Sequence, residues 1–187
     1  ALMALKSSVH LVGTAIRATA AAAAPYEGGA GVWLAEQTSA TIVSSLMDDS
    51  RAAALVCDDS TVSVHNCALR HTQWGVVPLM VGGNYSGETM SLGDGILINA
   101  SPASQVTNSL VVGHVRAGVL INASDNVRVE RTFCDSGGVG LFGLVVQKSQ
   151  GVIASFNAFV GGVMANDTTD AGLSVPPPPQ FWSGTIP

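Results

Sequence analysis

The feature that most constrains the fold of this chain is an internal repeat. The heptapeptides GILINAS (residues 95–101) and GVLINAS (residues 118–124) begin 23 residues apart. The same register gives six equivalent starting positions, which are Gly31, Ala54, Gly75, Gly95, Gly118 and Gly143. Three apolar residues follow each start, and five of the six units continue with a second segment of alternating apolar and polar residues. Such a repeat indicates one supersecondary unit stacked on copies of itself.

The residue types in each unit favour strands over helices. Many of the residues are β-branched, the apolar positions alternate with period two, and Gly, Asn, Asp and Ser bound the apolar runs. Helical solenoids use longer repeats of about 33–47 residues, and leucine-rich repeats carry a different leucine spacing. A unit of about 20–25 residues with two or three short strands is typical of a parallel β-helix, whose coils stack about 4.8 Å apart. We therefore predict an all-β parallel β-helix solenoid of about six coils.

The repeat also carries a family resemblance. Through the pattern G-[VIL]-x-[ILV]-x-x-S followed by V-x-V-x-x-x-[ALF], residues 31–162 resemble the right-handed parallel β-helix repeat family, the pectin-lyase-like solenoids. The resemblance implies a right-handed coil. Polysaccharide lyases, polygalacturonases, phage tailspikes, adhesins and extracellular domains of large surface proteins share this scaffold. The resemblance is therefore specific for the fold and does not select a function.

Three segments depart from the repeat. Residues 1–30 are predicted to form an N-terminal coil or cap before the repeats of residues 31–162. Residues 82–94 are Gly-rich, which predicts a loop that leaves the rod. Residues 163–187 include four consecutive prolines, Pro176 to Pro179, and are predicted to form a C-terminal cap and a Pro-rich linker.

Charge and apolar run length exclude two classes of partner. The net charge is −5 and no basic cluster occurs, so the chain lacks the electrostatic footprint of nucleic-acid binding. Uninterrupted apolar runs are short, and the run at residues 20–25, for example, has six residues. A membrane-spanning helix needs about 20 such residues. We expect neither nucleic-acid binding nor membrane insertion in this segment.

The sequence favours a non-enzymatic protein, because a catalytic site needs converging groups. The carboxylates that a lyase-like site would use occur as Asp pairs at 48–49 and 58–59, at different offsets in their coils. Gly113 and His114 match part of a polygalacturonase-like motif, but Val115 follows and other motifs are absent. A carbohydrate-active enzyme, either a polysaccharide lyase or a glycoside hydrolase, remains the alternative.

Metal and cofactor binding are not expected. None of the four histidines has metal-site spacing, and His71 and His114 are expected in turns, solvated or hydrogen-bonded. The three cysteines lack C-x-x-C spacing. Cys57 is expected in the core, and a disulfide between Cys57 and Cys67 stays open.

Four Asn-x-Ser/Thr sequons bear on localisation, because their use would mean a secreted eukaryotic protein. They begin at Asn84, Asn99, Asn122 and Asn166. Asn99 and Asn122 share one column of the repeat, so we expect them to form an asparagine ladder of stacked, hydrogen-bonded side chains. An asparagine in such a ladder cannot also carry a sugar. Asn84 and Asn166 lie in predicted loops and are the better glycosylation candidates.

The repeat also predicts an apolar stripe on the outer face of one sheet. In a strand, the second residue after each start faces away from the first and third. The stripe would consist of Trp33, Val56, Val77, Leu97, Leu120 and Val145. A patch of this size is expected to be covered, either by the terminal segments or by another chain.

These observations favour a non-enzymatic, extracellular β-helix module, secreted or at the cell surface. It would serve as a rigid structural or interaction domain of a larger cell-surface or fibrous assembly, with N-glycosylation as a further expectation. The expected partners are other protein chains or further domains of the same parent protein. Polysaccharide is the alternative partner, through a carbohydrate-active or polysaccharide-binding β-helix. The regular Thr-x-Thr ladder of an ice-binding solenoid is missing.

Overall fold

The part of the chain that the structure describes forms three parallel sheets and one hairpin. A computed structural model describes residues 1–19, 29–81, 84–137 and 142–166. Sheet A contains β1 (Leu2–Leu5), β4 (Val32–Ala35), β7 (Ala53–Asp58), β12 (Asp94–Asn99), β15 (Ala117–Asn122), β18 (Phe142–Gln147) and β21 (Val163–Asn166). Sheet B contains β2 (Ser8–Val12), β5 (Ser39–Val43), β8 (Thr61–His65), β13 (Gln105–Thr107), β16 (Arg128–Glu130) and β19 (Ile153–Ser155). Sheet C contains β3 (Ala15–Thr19), β6 (Leu46–Arg51), β9 (Ala68–Gln73), β14 (Leu110–Val112), β17 (Phe133–Asp135) and β20 (Ala158–Phe159).

Each coil contributes one strand to each sheet, and every strand pairs in parallel with its equivalents in the neighbouring coils. Within the described residues six coils are complete, and β21 begins a seventh turn. The described residues contain strands and turns and no helix. The predicted fold class, an all-β parallel β-helix, is confirmed.

The core lies inside the coils, where the first and third apolar residues of each repeat point. Leu55 and Cys57 of β7, for example, are fully buried, as are Ile96 and Ile98 of β12. Burial raises the pKa of the Cys57 thiol to about 11, so the thiol stays protonated. All three cysteines are buried and free, without a bond between Cys57 and Cys67.

One predicted coil is wrong. The repeat register placed a coil start at Gly75, but residues 75–81 form β10 (Gly75–Val81), which pairs antiparallel with β11 (Asn84–Leu92). This hairpin is inserted between β9 and β12, and β7 pairs directly with β12. A short apolar run does not reveal whether its strand pairs with the next coil or with the strand that follows it in the sequence.

The boundaries of the other segments also change. β11 occupies most of residues 82–94, where a loop was predicted. Residues 2–19 form a complete first coil, so the count of six coils includes one in the N-terminal segment and omits the hairpin. Residues 167–187, including the four prolines, lie outside the described residues.

Candidate functional site

Asn99 and Asn122 are the last residues of the adjacent strands β12 and β15 in sheet A. They are partners in the pairing of β12 with β15, and Asn122 Nδ2 donates a hydrogen bond to Asn99 Oδ1 at 2.6 Å. Asn99 Nδ2 donates in turn to Asp58 Oδ1 at 2.7 Å. Burial raises the pKa of Asp58, and the bond from Asn99 opposes that rise. The Asp58 carboxyl group therefore accepts the hydrogen bond at the end of this row of amides.

The other two sequons lie in strands, where loops were predicted. Asn166 ends β21 in register with Gln147, and Gln147 is in register with Asn122, so Asn166 belongs to the same column. Its side chain is exposed. Asn84 is the first residue of β11 and pairs with Val81, while its side chain lies outside the described part of the structure.

A row of hydroxyl groups, which we call the hydroxyl ladder, connects the coils at the corner between sheets A and B. The Ser60 N–H donates to Ser101 Oγ at 3.1 Å, and the Ser101 N–H donates to Ser124 Oγ at 2.9 Å. Further steps join Ser7 to Thr38, Thr38 to Ser60, and Ser124 to Ser149. From Thr38 onward the members are buried. The serine that ends each repeat heptapeptide was the available signal for this ladder.

A second row of this kind lies at the corner between sheets B and C. The Thr14 N–H donates to Ser45 Oγ at 3.2 Å, and the Cys67 N–H donates to Ser109 Oγ at 3.2 Å. Cys67 occupies the position between them, where its sulfur accepts from the Ser45 N–H at 3.5 Å. Cys67 therefore takes the place of a serine in this row.

We expect Cys67→Ser to change the free energy of unfolding by less than about 0.5 kcal/mol, because a hydroxyl can make the same bonds to Ser45 and its neighbours. Cys134→Ser is the matched control, since Cys134 is fully buried on the inner face of sheet C. A hydroxyl placed there without a partner should cost about 1–3 kcal/mol. Urea unfolding of both variants measures the difference, and equal losses would contradict this role of Cys67.

The predicted apolar stripe is mostly buried within the chain itself. Val56, Leu97, Leu120 and Val145 are consecutive partners on the outer face of sheet A, and each is buried. Trp33 continues this column and is half-buried. Leu92 of β11 packs in the same cluster.

Val77 does not belong to this stripe. It lies in β10, where it pairs with Met90, and its side chain lies outside the described part of the structure. The four buried members leave no long exposed stripe for another chain to cover.

The two Asp pairs are separated in the structure, because Asp48 and Asp49 lie in sheet C whereas Asp58 ends β7 of sheet A. Asp48 on β6 accepts hydrogen bonds from the His71 ring at 2.9 Å and from Arg70 at 2.8 Å, and these contacts hold its pKa below the usual value. Asp58 lies on sheet A, in the ladder with Asn99. No group of three or more metal-ligating side chains comes together in the ranges that the structure describes.

His114 lies between β14 and β15 and is hydrogen-bonded, which is one of the two predicted alternatives, and its side chain is also buried. Its ring has no exposed surface, Nε2 lies 3.3 Å from the carbonyl oxygen of Phe142, and Nδ1 has no hydrogen-bond partner among the described residues. Burial lowers the pKa of His114, against the opposing effects of Phe142 and Asp135. The ring is therefore held neutral inside the coil.

We expect the free energy of unfolding to fall as the pH drops from about 7 to about 5, because the unfolded chain then binds a proton near pH 6.5 that folded His114 rejects. His114→Phe should flatten this dependence. Urea titrations across this range test the prediction, and an equally steep slope in His114→Phe would contradict it.

A buried ion pair, which sequence reasoning missed, joins the base of the hairpin to the rod. Asp94 is fully buried and accepts two hydrogen bonds from Arg116, one of them from Nε at 2.8 Å. Burial raises the pKa of Asp94, and Arg116 opposes this rise. The same guanidinium donates to the Ser91 carbonyl oxygen on β11 at 3.0 Å. Asp94 and Arg116 are 22 positions apart in the sequence, which hides the pair, although the two residues lie on neighbouring coils.

A shallow groove of about 710 Å³ follows the corner between sheets B and C. Asn66, Asn108 and Arg131 provide polar groups along it, and Leu46, Leu110 and Phe133 provide apolar surface. Arg131 Nε donates to Asn108 Oδ1 at 2.8 Å, which orients the amide. None of the residues that line the groove comes from the hairpin.

The described part of the chain contains no helix with the length and apolar character needed to cross a membrane.

Comparison with models of protein families finds no match, and comparisons with curated proteins and with solved structures find none either. The chain is therefore classified by its architecture of stacked parallel sheets.

Proposed function

We propose that this chain is a non-enzymatic β-helix module that acts as a rigid structural or interaction domain of a larger extracellular assembly. The observation that carries the proposal is the hydroxyl ladder, which joins each coil to the next from Ser7 to Ser149. Its partners are other protein chains or further domains of the same parent protein.

The ladder supports rigidity because it fixes the corner between sheets A and B, where a solenoid could otherwise bend. Ser101 Oγ accepts from the Ser60 N–H, and its single proton is within reach of the backbone oxygens of Asn99 at 2.7 Å and Cys57 at 3.1 Å. Buried polar groups that lose their partners are costly, so bending at this corner would break several bonds together. The three sheets add continuous parallel pairing on either side. A rod of this kind transmits force and keeps its ends at a fixed separation.

Amide hydrogen exchange tests the rigidity. We expect the N–H groups of Ser60, Ser101 and Ser124 to exchange only through global unfolding, so their opening free energies should equal that of the whole domain. Rapid exchange at these amides under native conditions would place a hinge at this corner and overturn the proposal of a rigid module.

Assays on polysaccharides test the non-enzymatic character. Pectic and other acidic polysaccharides are incubated with the chain, and unsaturated or reducing ends are measured. We expect none above background. Turnover that disappears in Asp48→Asn, a change in the carboxylate contacted by Arg70 and His71, would overturn the proposal in favour of the lyase or glycosidase.

The groove between sheets B and C favours a second candidate, a polysaccharide-binding domain. Amide and guanidinium groups beside apolar surface are suited to the hydroxyl groups and C–H faces of a sugar chain. Calorimetric titration with linear polysaccharides tests this function. Binding that is lost in Asn108→Ala and retained in Trp74→Ala, away from the groove, would support it, and no heat with any polysaccharide would exclude it for those tested.

Peptide mass spectrometry of the protein from its native source tests the extracellular location. We expect sugar at Asn84 or Asn166, while Asn99 and Asn122 stay bare because their amides serve in the ladder. Four bare asparagines would undercut the secreted-glycoprotein part of the proposal and leave the rigid module intact.

A further inference from the structure

The floor of the groove between sheets B and C has two hollows. One outward-facing column of sheet C forms the floor, and small and large side chains alternate along its first four coils in the order Ala15, Leu46, Ala68 and Leu110. Phe133 follows on the fifth coil. The two alanines therefore leave hollows two coils apart, beside the larger side chains. At about 4.8 Å per coil, the hollows are separated by about 9.6 Å along the rod.

Hydrogen-bond donors line one wall of the groove. Asn66, Asn108 and Arg131 are exposed there, on the third, fourth and fifth coils. Asn66 Nδ2 donates to Ser44 Oγ at 3.1 Å, and Arg131 Nε donates to Asn108 Oδ1. Because an amide has two N–H donors and a guanidinium has five, these contacts leave donors for a ligand. None of the residues that line the groove carries a carboxylate, so the wall offers mainly donors.

The backbone of this wall is already paired between coils. The N–H groups of Ser44, Asn66 and Asn108 donate to carbonyl oxygens of the next coil. The wall therefore lacks the open strand edge on which an ordinary extended peptide satisfies its own N–H and C=O groups. Proline has a carbonyl group and no backbone N–H. A run of prolines thus needs only the donors that the side chains of this wall provide.

The spacing of the two hollows matches a polyproline II helix. Such a helix has three residues per turn and rises about 3.1 Å per residue, so every third ring lies about 9.3 Å further along the same face. This distance is close to the separation of the hollows at Ala15 and Ala68. Two proline rings, one turn apart, therefore fit the two hollows, and the carbonyl groups between them can accept from the wall.

The chain carries a segment of this kind at a suitable distance. Pro176 to Pro179 are consecutive, so the first and last of them are one such turn apart. They lie outside the described residues, and Pro176 comes ten positions after Asn166, the last residue of β21. Ten extended residues span about 33 Å. The path from Asn166 to Ala68 runs about 17 Å across sheet B and about 19 Å along the rod, a diagonal of about 26 Å.

We propose that the groove binds the chain's own proline segment, with Pro176 in the hollow at Ala68 and Pro179 in the hollow at Ala15. The direction follows from the reach, because Ala68 is nearer than Ala15 to Asn166. The inference goes beyond the proposed function, since it concerns the corner between sheets B and C and not the hydroxyl ladder. A sugar chain in this groove would compete with the proline segment.

Disulfide trapping in the full chain tests the docking. Val175→Cys places a thiol next to Pro176, and Asn66→Cys places one on the coil of Ala68. The three native thiols are buried. We expect this pair to oxidise within one molecule at least about tenfold faster than a control pair, because docking raises the effective concentration of the two thiols.

The control pair combines Val175→Cys with Gln105→Cys. Gln105 is exposed on β13, on the outer face of sheet B, and it lies one coil closer than Asn66 to Asn166. A segment without a preferred site would therefore reach Gln105→Cys at least as readily as Asn66→Cys. Equal rates for the two pairs would overturn the proposal, as would disulfides that form only between molecules.

Filling one hollow provides a second measurement. Ala68→Leu, added to the first cysteine pair, should slow the oxidation to the rate of the control pair. Ala158→Leu is its matched control, since Ala158 lies in the same column of sheet C, in the sixth coil, and does not line the groove. Both alanines are half-buried on the outer face, so urea unfolding should show similar stability for both variants. Equal oxidation rates in the two leucine variants would overturn the proposal.

The outcomes separate this inference from the proposed function. Slow trapping in a chain whose Ser60, Ser101 and Ser124 amides exchange only by global unfolding would refute the docking and keep the rigid module. Fast trapping in a chain whose amides at these serines exchange rapidly would do the reverse.

Discussion

Arg116→Met is expected to lower the free energy of unfolding by about 3–5 kcal/mol, because it leaves the carboxylate of Asp94 buried without its cation. Asp94 has no exposed surface, and the guanidinium of Arg116 supplies two of its hydrogen bonds. The methionine replaces the apolar stem of the arginine, so the change removes mainly the charge and the donors. Urea unfolding monitored by circular dichroism measures the loss.

An exposed ion pair provides the control for this substitution. Arg128 contacts Glu130 at 3.1 Å, but the Arg128 side chain is 47% exposed. Arg128→Met should therefore cost less than about 1 kcal/mol. Adding Asp94→Asn to Arg116→Met should restore part of the stability, because a neutral amide is cheaper to bury than a carboxylate. Equal losses for the two arginine variants would show that burial of Asp94 does not set the cost.

Ser101→Ala is expected to lower the free energy of unfolding by about 1–3 kcal/mol, because the Ser60 N–H then lies buried without an acceptor. The hydroxyl of Ser101 also donates to the carbonyl oxygen of Asn99 at 2.7 Å, and that bond is lost too. The substitution removes one oxygen atom and creates little empty volume. The measured loss is therefore a direct estimate of one step of the hydroxyl ladder.

Ser63→Ala is the matched control, since Ser63 lies on the outer face of sheet B and is half-buried. Its change should stay within about 0.5 kcal/mol. The Ser101→Ala protein should also show faster exchange of the Ser60 amide than the wild type. Unchanged exchange together with unchanged stability would mean that the ladder does not hold the coils together.

The parts of the fold that could be predicted from the sequence are those that repeat. Inward positions such as Ile98 and Ile121 recur at a fixed spacing with the same residue type, so their column is visible in the amino-acid sequence itself. The column of Asn99 and Asn122 was visible for the same reason. The segment that begins at Gly75 matched the repeat because its apolar residues fit the pattern of any strand. So short an apolar run does not indicate whether the strand pairs in parallel or antiparallel.

The features that sequence reasoning missed are those that occur once. Asp94 and Arg116 form a single pair, and the burial of His114 concerns a single side chain. Neither feature therefore appears as a repeated column in the amino-acid sequence. Their positions depend on which residues the coil stacks above one another, which in turn depends on the hairpin between β9 and β12. The sequence does not show whether a polar residue in a predicted turn is buried, because burial depends on how the neighbouring coil packs against that turn.

The inserted hairpin has a consequence for how such a protein can change. Val56 and Leu97 are direct neighbours across 41 residues, while Leu97 and Leu120 are neighbours across 23, and the register of sheet A is the same on both sides. The register of sheet A is therefore independent of the number of residues that connect one coil to the next. The connection between β9 and β12 tolerates an inserted segment. A different insertion could replace the hairpin there without changes to the sequences of the neighbouring coils.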